Sequence, residues 1–532
     1  MKEYGILARM YLCALFLWGL GYLAILPPFE GFDENSHYSN IREISTTGKL
    51  PVYGTTMLDS LVTTYAQNGP MPYGTLNPPF DTGMTYSKFF QKPELIANYL
   101  QVYRNTPVPS SYQEGSSISW EAIHAPLYYV LLAPIEKISN GLSLVTQVLL
   151  LRLATFLIVI VGVALAMRAC GTNKAFTGFL LYPLLFPMFF LEFGRLGNDS
   201  LCMLISAVLA ILLGRYGNES GYKSSLLIGL VLAVGLLTKA FFIPITAAVL
   251  SWMFLAYIVK ATDNSARQRH FINIMIIGLT AAVLGGTWYL YNVTHNIPIV
   301  AFDEAAKLEA QGGLMEGIRK HFTVYGLLQG LVVNLVTWIW GGSWSLVHIY
   351  PALYLPMLAL LFLILSACAS ELRKKPLADP LWLGVFLLGF FGAGFLRHII
   401  ISLAINGTGS TPSNYLHILL PWVAPMLTIG IAAATKHRIG NITLKLLAIY
   451  AIYFQFTIIW SQVALFAGCA TKGNDKNYHF PDGSYCFGKL EMITDNLSII
   501  AWPYLALVSY ACGIICFGLI LKNMRKLREQ EN

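Results

Sequence analysis

Runs of about twenty apolar residues recur along the chain from Gly5 to Leu521, with few charges inside them. A run of that length, if helical, matches the hydrocarbon core of a bilayer. In lipid each backbone N–H and C=O must find a partner within its own segment, so such a chain folds as a bundle of α-helices. Charged residues make up 12% of the sequence and hydrophobic residues 56%, whereas a soluble domain carries about 25% charged residues. Lipid is therefore the main solvent. The 45 glycines and 25 prolines suit broken or tightly packed membrane helices. The net charge of +8 lies in short loops between spans, where it reports topology and not a nucleic-acid partner.

Basic loops mark the cytoplasmic side. The first span, about 5–27, is too long for a secretory core and no small-residue cleavage site follows it, so it reads as a retained span with its N-terminus inside. Residues 28–122 then form a large extracytoplasmic segment, polar and rich in Tyr, Pro and Gly. The apolar stretch 122–139 is short and interrupted by Pro126 and Pro134, which predicts an interfacial helix. Spans are expected at about 144–167, 175–193, 199–214, 224–238, 241–259 and 271–291. A second extracytoplasmic segment, 292–346, holds the Trp-rich piece 325–344. Reading that piece as a span would place Arg373-Lys374-Lys375 outside, so it is taken as a second interfacial element. Spans at about 347–369, 381–404, 414–435, 441–465 and 499–521 complete the map, with a late outer loop at 466–498. The expectation is one all-α polytopic membrane domain of about twelve spans with both termini cytoplasmic.

Six cysteines (Cys13, Cys170, Cys202, Cys368, Cys512, Cys516) lie in or beside apolar runs, where thiols act as small hydrophobes. Cys469 and Cys486 bracket the late loop instead; in an oxidising compartment a disulfide between them is expected.

The first outer segment opens with Phe29-Glu30-Gly31-Phe32-Asp33-Glu34-Asn35-Ser36-His37. Two adjacent carboxylates and an imidazole at a membrane surface suit proton abstraction from an acceptor hydroxyl, with His37 about one helical turn on to orient the acid. They also suit plain capping of a helix N-terminus. Farther on, Glu121-Ala122-Ile123-His124 puts His124 at headgroup depth as a substrate-binding candidate, and Tyr128 and Tyr129 read as an aromatic belt. The turn Gly194-Arg195-Leu196-Gly197-Asn198-Asp199 offers Arg195 as a phosphate partner and Asn198 or Asp199 as a helix cap, chiefly Asp199. Lys239 lies between two apolar runs and either snorkels to water or meets a lipid phosphate. Arg397 falls mid-span, a depth at which a cation usually faces a cavity or a partner.

Taken in order, these pieces resemble the GT-C superfamily of integral-membrane glycosyltransferases that use polyprenyl-phosphate sugars. The resemblance is carried by Phe32-Asp33-Glu34-Asn35-Ser36-His37 with Gly48-Lys49-Leu50-Pro51, by His124-Ala125-Pro126-Leu127-Tyr128-Tyr129 with Arg152 downstream, and by Asn198-Asp199-Ser200-Leu201. Leu237-Thr238-Lys239 and Thr287-Trp288-Tyr289-Leu290-Tyr291-Asn292 with Asn296-Ile297-Pro298 extend it over about the first three hundred residues. Ala125 stands where the family has a proline, and Ser413-Asn414-Tyr415 where relatives often have Gly-Arg-Tyr. Tyr415 keeps its place as a substrate-binding candidate.

The resemblance implies sugar transfer from a polyprenyl-phosphate donor to a cell-surface glycan such as O-antigen, or to a protein, on the periplasmic face of a bacterial inner membrane. Asp33 would be the base, Glu34 would support it or help hold the acceptor, and Lys239 and Arg195 would stabilise the departing lipid phosphate; His37, His124, Asn198, Arg397 and Tyr415 stand beside them as substrate-binding candidates. No cofactor is required, since the lipid phosphate is itself a good leaving group; Asp33, Glu34 and His37 are the residues that would hold a divalent metal. Two other classes share the spans and the polar cavity: a flippase for lipid-linked glycans and an O-antigen polymerase or ligase. The chain has no visible inverted repeat, which a transporter commonly shows, and its largest outer loop comes early.

Overall fold

The computed structural model describes residues 2–70, 84–217, 221–260, 263–298, 304–345, 349–409, 412–469, 471–472, 478–479, 486 and 488–531. The chain is an all-α polytopic membrane protein. Among the described residues, ten helices are long and apolar enough to cross a membrane, or twelve if each of two sharply bent helix pairs forms one span.

The total matches the expectation, but the membership differs. Tyr222–Leu236, expected as a span, is an apolar helix of 15 residues. The expected span 175–193 is broken into Ala175–Leu185 and Met188–Gly194, which meet at 83°. The cause is local. Pro187 has no N–H to give the carbonyl of Pro183, and the Gln455 side-chain amide donates to that carbonyl instead, at 2.6 Å. The piece expected at 325–344 is the helix Val324–Ile339, bent by 102° from Leu314–His321 and started by Thr323, whose hydroxyl accepts from the Gly326 N–H. Leu127–Ile138, within the segment expected as interfacial, has 12 residues. It is about 18 Å long, well short of the roughly 30 Å hydrocarbon core.

Small residues let the spans approach closely, as lipid-embedded helices require. Gly178 abuts the Ala424 carbonyl and Gly430 the Ile364 carbonyl, so a methyl at either would meet backbone. The first helix, Lys2–Ile25, lies along the last, Pro503–Glu531, where Tyr510 packs over Gly21 and edge-on to Trp18.

The described part of segment 28–122 is folded onto this bundle. Strands Met57–Asp59 and Glu114–Ile118 pair antiparallel beside the helix Glu34–Thr47. Buried Arg42 ties them down: it donates to Asp59 at 2.9 Å, to Glu136 at 3.0 Å and to the Pro109 carbonyl at 2.9 Å. Tyr38 donates to Gln147 at 2.5 Å, joining the same helix to Leu144–Cys170. The opening motif is thus held from both sides. At the far end of the chain, Cys469 and Cys486 are disulfide-bonded.

Candidate functional site

Asp33 sits between the end of the first span and the start of Glu34–Thr47, in the left-handed backbone region (φ 58°). Its own carbonyl accepts the N–H groups of Ser36 and His37, which starts the helix. The side chain does not cap that helix. A non-glycine residue held there stores some backbone strain, which tends to collect at functional sites. Gly31, two residues earlier, packs directly against the Arg195 side chain, and an added methyl would collide with the Arg195 Cβ. Gly31→Ala is therefore expected to push Asp33 and Arg195 apart. It should cost about 1–3 kcal/mol of stability by overpacking, read as a lower melting temperature together with reduced activity.

Around Asp33 the chain assembles two ionic groups from widely separated segments, the first half-buried and the second buried. On one side, Glu121 lies 2.8 Å from His124 and 3.6 Å from His37, and His37 also bonds the Tyr129 hydroxyl at 3.0 Å. On the other, Arg195 donates to Glu192 at 2.7 Å, Asp199 at 3.2 Å and the Phe32 carbonyl at 2.8 Å. Lys239 holds both carboxylate oxygens of Asp199 at 2.9 Å, and its ammonium lies 4.8 Å from the Tyr415 ring and 4.6 Å from that of Phe241. Asn414 donates to the second oxygen of Glu192 at 2.6 Å.

Asp33 differs from its neighbours in this array. Its carboxylate makes no hydrogen bond or ion pair among the described residues, and it is half-buried, whereas Glu34, Glu192 and Asp199 are fully buried and paired. Burial, then repulsion from Glu121, push its carboxyl up to about 7, while attraction from Arg195, Lys239 and His124 limits the rise. Burial holds the His37 imidazole down to about 3, so it is neutral at pH 7. Glu121 is raised by burial, but His124 and then His37 outweigh that, leaving it below the ordinary carboxylate range and charged.

Several expectations change. Glu34 does not face an open site: Arg152 grips its carboxylate at 2.7 and 2.5 Å, and the Leu196 N–H adds a bond at 3.0 Å. Arg152 also donates to the carbonyls of Leu26 and Pro27 at 2.5 and 2.8 Å, satisfying the end of the first span. Through Arg152, Glu34 thus ties the start of its helix to the end of the first span, next to Asp33. His37 orients Glu121 and Tyr129, not Asp33. Asp199 does not cap its helix but pairs with Lys239, and Asn198 makes no cap bond either, its Oδ1 being buried without a partner. Arg195 and Lys239 come together on Asp199, so each already has a carboxylate. Tyr128 donates or accepts with Thr155 and takes the Gly197 N–H at 3.0 Å, a structural task. Arg397 is exposed on Pro380–Asn406 and is not part of the buried array.

Three residues of the array were not among the sequence candidates. Glu121 stands three residues before the candidate His124 in the same stretch, an acid beside an imidazole being the signal for it. Glu192 is the sole carboxylate in the apolar run 175–194, and an acid at that depth is a functional signal by itself. Asn414, the middle residue of Ser413-Asn414-Tyr415, meets Glu192. Glu34 turns to Arg152 and His37 to Tyr129 and Glu121, away from the unpaired Asp33, and no group of three or more His, Cys, Asp or Glu side chains among the described residues is arranged to hold a metal ion.

Among solved structures the chain is similar to ArnT from Cupriavidus metallidurans bound to undecaprenyl phosphate, at 14% identity and a TM-score of 0.43, covering 98% of this chain and 77% of that one. It is similar to the same protein in the apo state at 13% identity and a TM-score of 0.40, with the same coverage. No curated protein sequence matches. A family model described as "Predicted membrane protein (DUF2142)" matches residues 16–412. That match spans well over half of the 532 residues, so the chain belongs to the DUF2142 family of predicted membrane proteins.

Proposed function

We propose that this protein is a membrane glycosyltransferase that moves a sugar from a polyprenyl-phosphate carrier to a hydroxyl of a cell-surface glycan such as O-antigen, or of a protein. The observation that carries the reading is Asp33: an unpaired, half-buried carboxylate titrating near neutrality beside a buried array of two cations. In the reaction the acceptor O–H breaks and its proton goes to Asp33, while the acceptor oxygen bonds to the anomeric carbon. The bond from that carbon to the phosphate oxygen breaks, and the lipid phosphate departs with the electron pair. A base whose pKa lies near the working pH is well matched to that task. The Arg195 Nε–H, buried without a partner, and the N–H of Lys239 not used by Asp199 are the donors that would meet the developing phosphate charge. Tyr415 and His124 flank this space, and Asn198 Oδ1 is a free acceptor for a sugar hydroxyl. No metal is needed for this displacement. We place the protein in a bacterial inner membrane with both termini cytoplasmic, since the basic loops then share one side; the site faces the periplasm.

The test is transfer in reconstituted vesicles supplied with polyprenyl-phosphate hexoses and a crude glycan acceptor. Loss of labelled sugar from the lipid to the acceptor, unaffected by EDTA, supports the reading. Movement of intact lipid-linked glycan across the bilayer with no donor consumed replaces it with a flippase. Because Asp33 must be deprotonated to act, kcat/KM should rise with pH to a plateau, with a midpoint near 7. A flat profile between pH 5 and 8 would remove Asp33 as the base.

A further inference from the structure

The other end of the bundle carries a second feature. The span Asn414–Thr435 starts at the ionic array and ends beside a cavity of 540 Å³. That cavity lies between the ends of the helices Tyr354–Leu372 and Leu420–Thr435 and the start of Arg438–Phe466. The first two helices touch at Gly430, whose Cα faces the Ile364 carbonyl, and the cavity opens beyond that contact.

Its polar rim is cationic. Glu371 accepts from Lys374 at 3.0 Å and from Lys436, on a different segment, at 3.3 Å. One carboxylate shared by two ammonium groups leaves a net positive charge at the mouth. Arg373 and Arg438 are exposed next to the lining residues Lys374 and His437 in sequence, and Lys375 is balanced by Asp379 at 2.8 Å. The Ser370 hydroxyl lines the same space.

Below the rim the surface is apolar. Ile439 is 81% exposed beside the lysines, and Ile442, Leu446 and Ile449 continue from it as an exposed stripe at helical spacing. A cationic mouth directly above a lipid-facing stripe matches a molecule with a phosphate at one end and an acyl chain at the other. Basic pockets between membrane helices commonly hold such headgroups.

We propose that this cavity binds the headgroup phosphate of an anionic phospholipid, with Lys374 and Lys436 as its ligands and an acyl chain along Ile439, Ile442 and Leu446. Glu371 competes with the lipid for both lysines, so it sets the affinity. This site lies at the opposite end of the span from Asp33, and it stands whether or not the sugar-transfer reading holds.

The experiment uses the full-length protein in mild detergent, titrated with short-chain phosphatidylglycerol, with phosphatidylcholine, and with inorganic phosphate, followed by native mass spectrometry and thermal melting. Phosphatidylglycerol should be retained and raise the melting temperature, while phosphatidylcholine and inorganic phosphate should do so weakly or not at all. The double variant Lys374→Gln/Lys436→Gln should bind phosphatidylglycerol more weakly, by about fivefold per lysine removed at low salt. Glu371→Gln should bind it more tightly, an increase that a damaged fold would not produce. Equal phosphatidylglycerol binding in wild type and both variants would overturn the proposal. So would inorganic phosphate displacing the lipid and stabilising the protein equally well, which would make this a free-anion site.

Discussion

Asp33→Asn is expected to abolish most of the transfer activity and, at the same time, to make the protein more stable at alkaline pH. Loss of a positioned general base typically costs 10²–10⁴ in rate, so residual transfer should fall to about a hundredth of wild type or less. The stability effect has the opposite sign to the usual loss on mutation. Asp33 titrates at about 7 in the folded protein, against about 3.9 in an unfolded chain. Between those values the folded state holds more protons than the unfolded one, so stability is full below about pH 4 and declines as pH rises through 7. The three-unit difference corresponds to at most about 4 kcal/mol, and to on the order of 2 kcal/mol once water at the half-buried carboxylate is counted. Asparagine removes this decline. Melting curves at pH 5 and pH 8 should therefore converge for the variant and separate for wild type. A variant that is inactive but melts like wild type at both pH values would show that Asp33 is not held in the destabilised, unpaired state on which its role as a base depends.

Arg152→Met is expected to be the most damaging of the conservative-volume changes in the array. It leaves Glu34 buried with a charge that only backbone N–H groups address, and it frees the carbonyls of Leu26 and Pro27. Removing one partner of a buried pair costs about 3–5 kcal/mol. The double variant Arg152→Met/Glu34→Met should recover most of that loss, because apolar residues of similar volume often replace a buried pair at little cost. Thermal melting of the two single variants and the double variant measures the coupling. In the double variant the pH profile of activity should keep its midpoint near 7, on the proposal that Asp33 and not Glu34 takes the proton. A midpoint that moves when Glu34 is replaced would return Glu34 to the catalytic pair.

The all-helical, multi-pass architecture was legible in the sequence because it follows from chain-local physics. Twenty apolar residues must satisfy their own backbone in lipid, and nothing distant alters that requirement. The same locality put Asp33 in view: an acid pair immediately after an apolar run is visible without knowing what folds over it. The broken span at Pro187 was less legible, because prolines are tolerated in membrane helices when a neighbour satisfies the freed carbonyl, and the neighbour here is Gln455, far along the chain.

What only the tertiary structure decided is which charge belongs to which. From the residues alone, before any resemblance, either Asp33 or Glu34 could be the base, and Asp199 is chiefly a helix cap. In the fold Glu34 turns to Arg152, 118 residues away, and Asp199 to Lys239, 40 residues away, while Asp33 is left without a partner. Charge pairing in a low-dielectric interior depends on separations of a few ångströms, and sequence order says nothing of those. The residue types of the array were written in the chain; which of its carboxylates is left unpaired among the described residues was decided by packing.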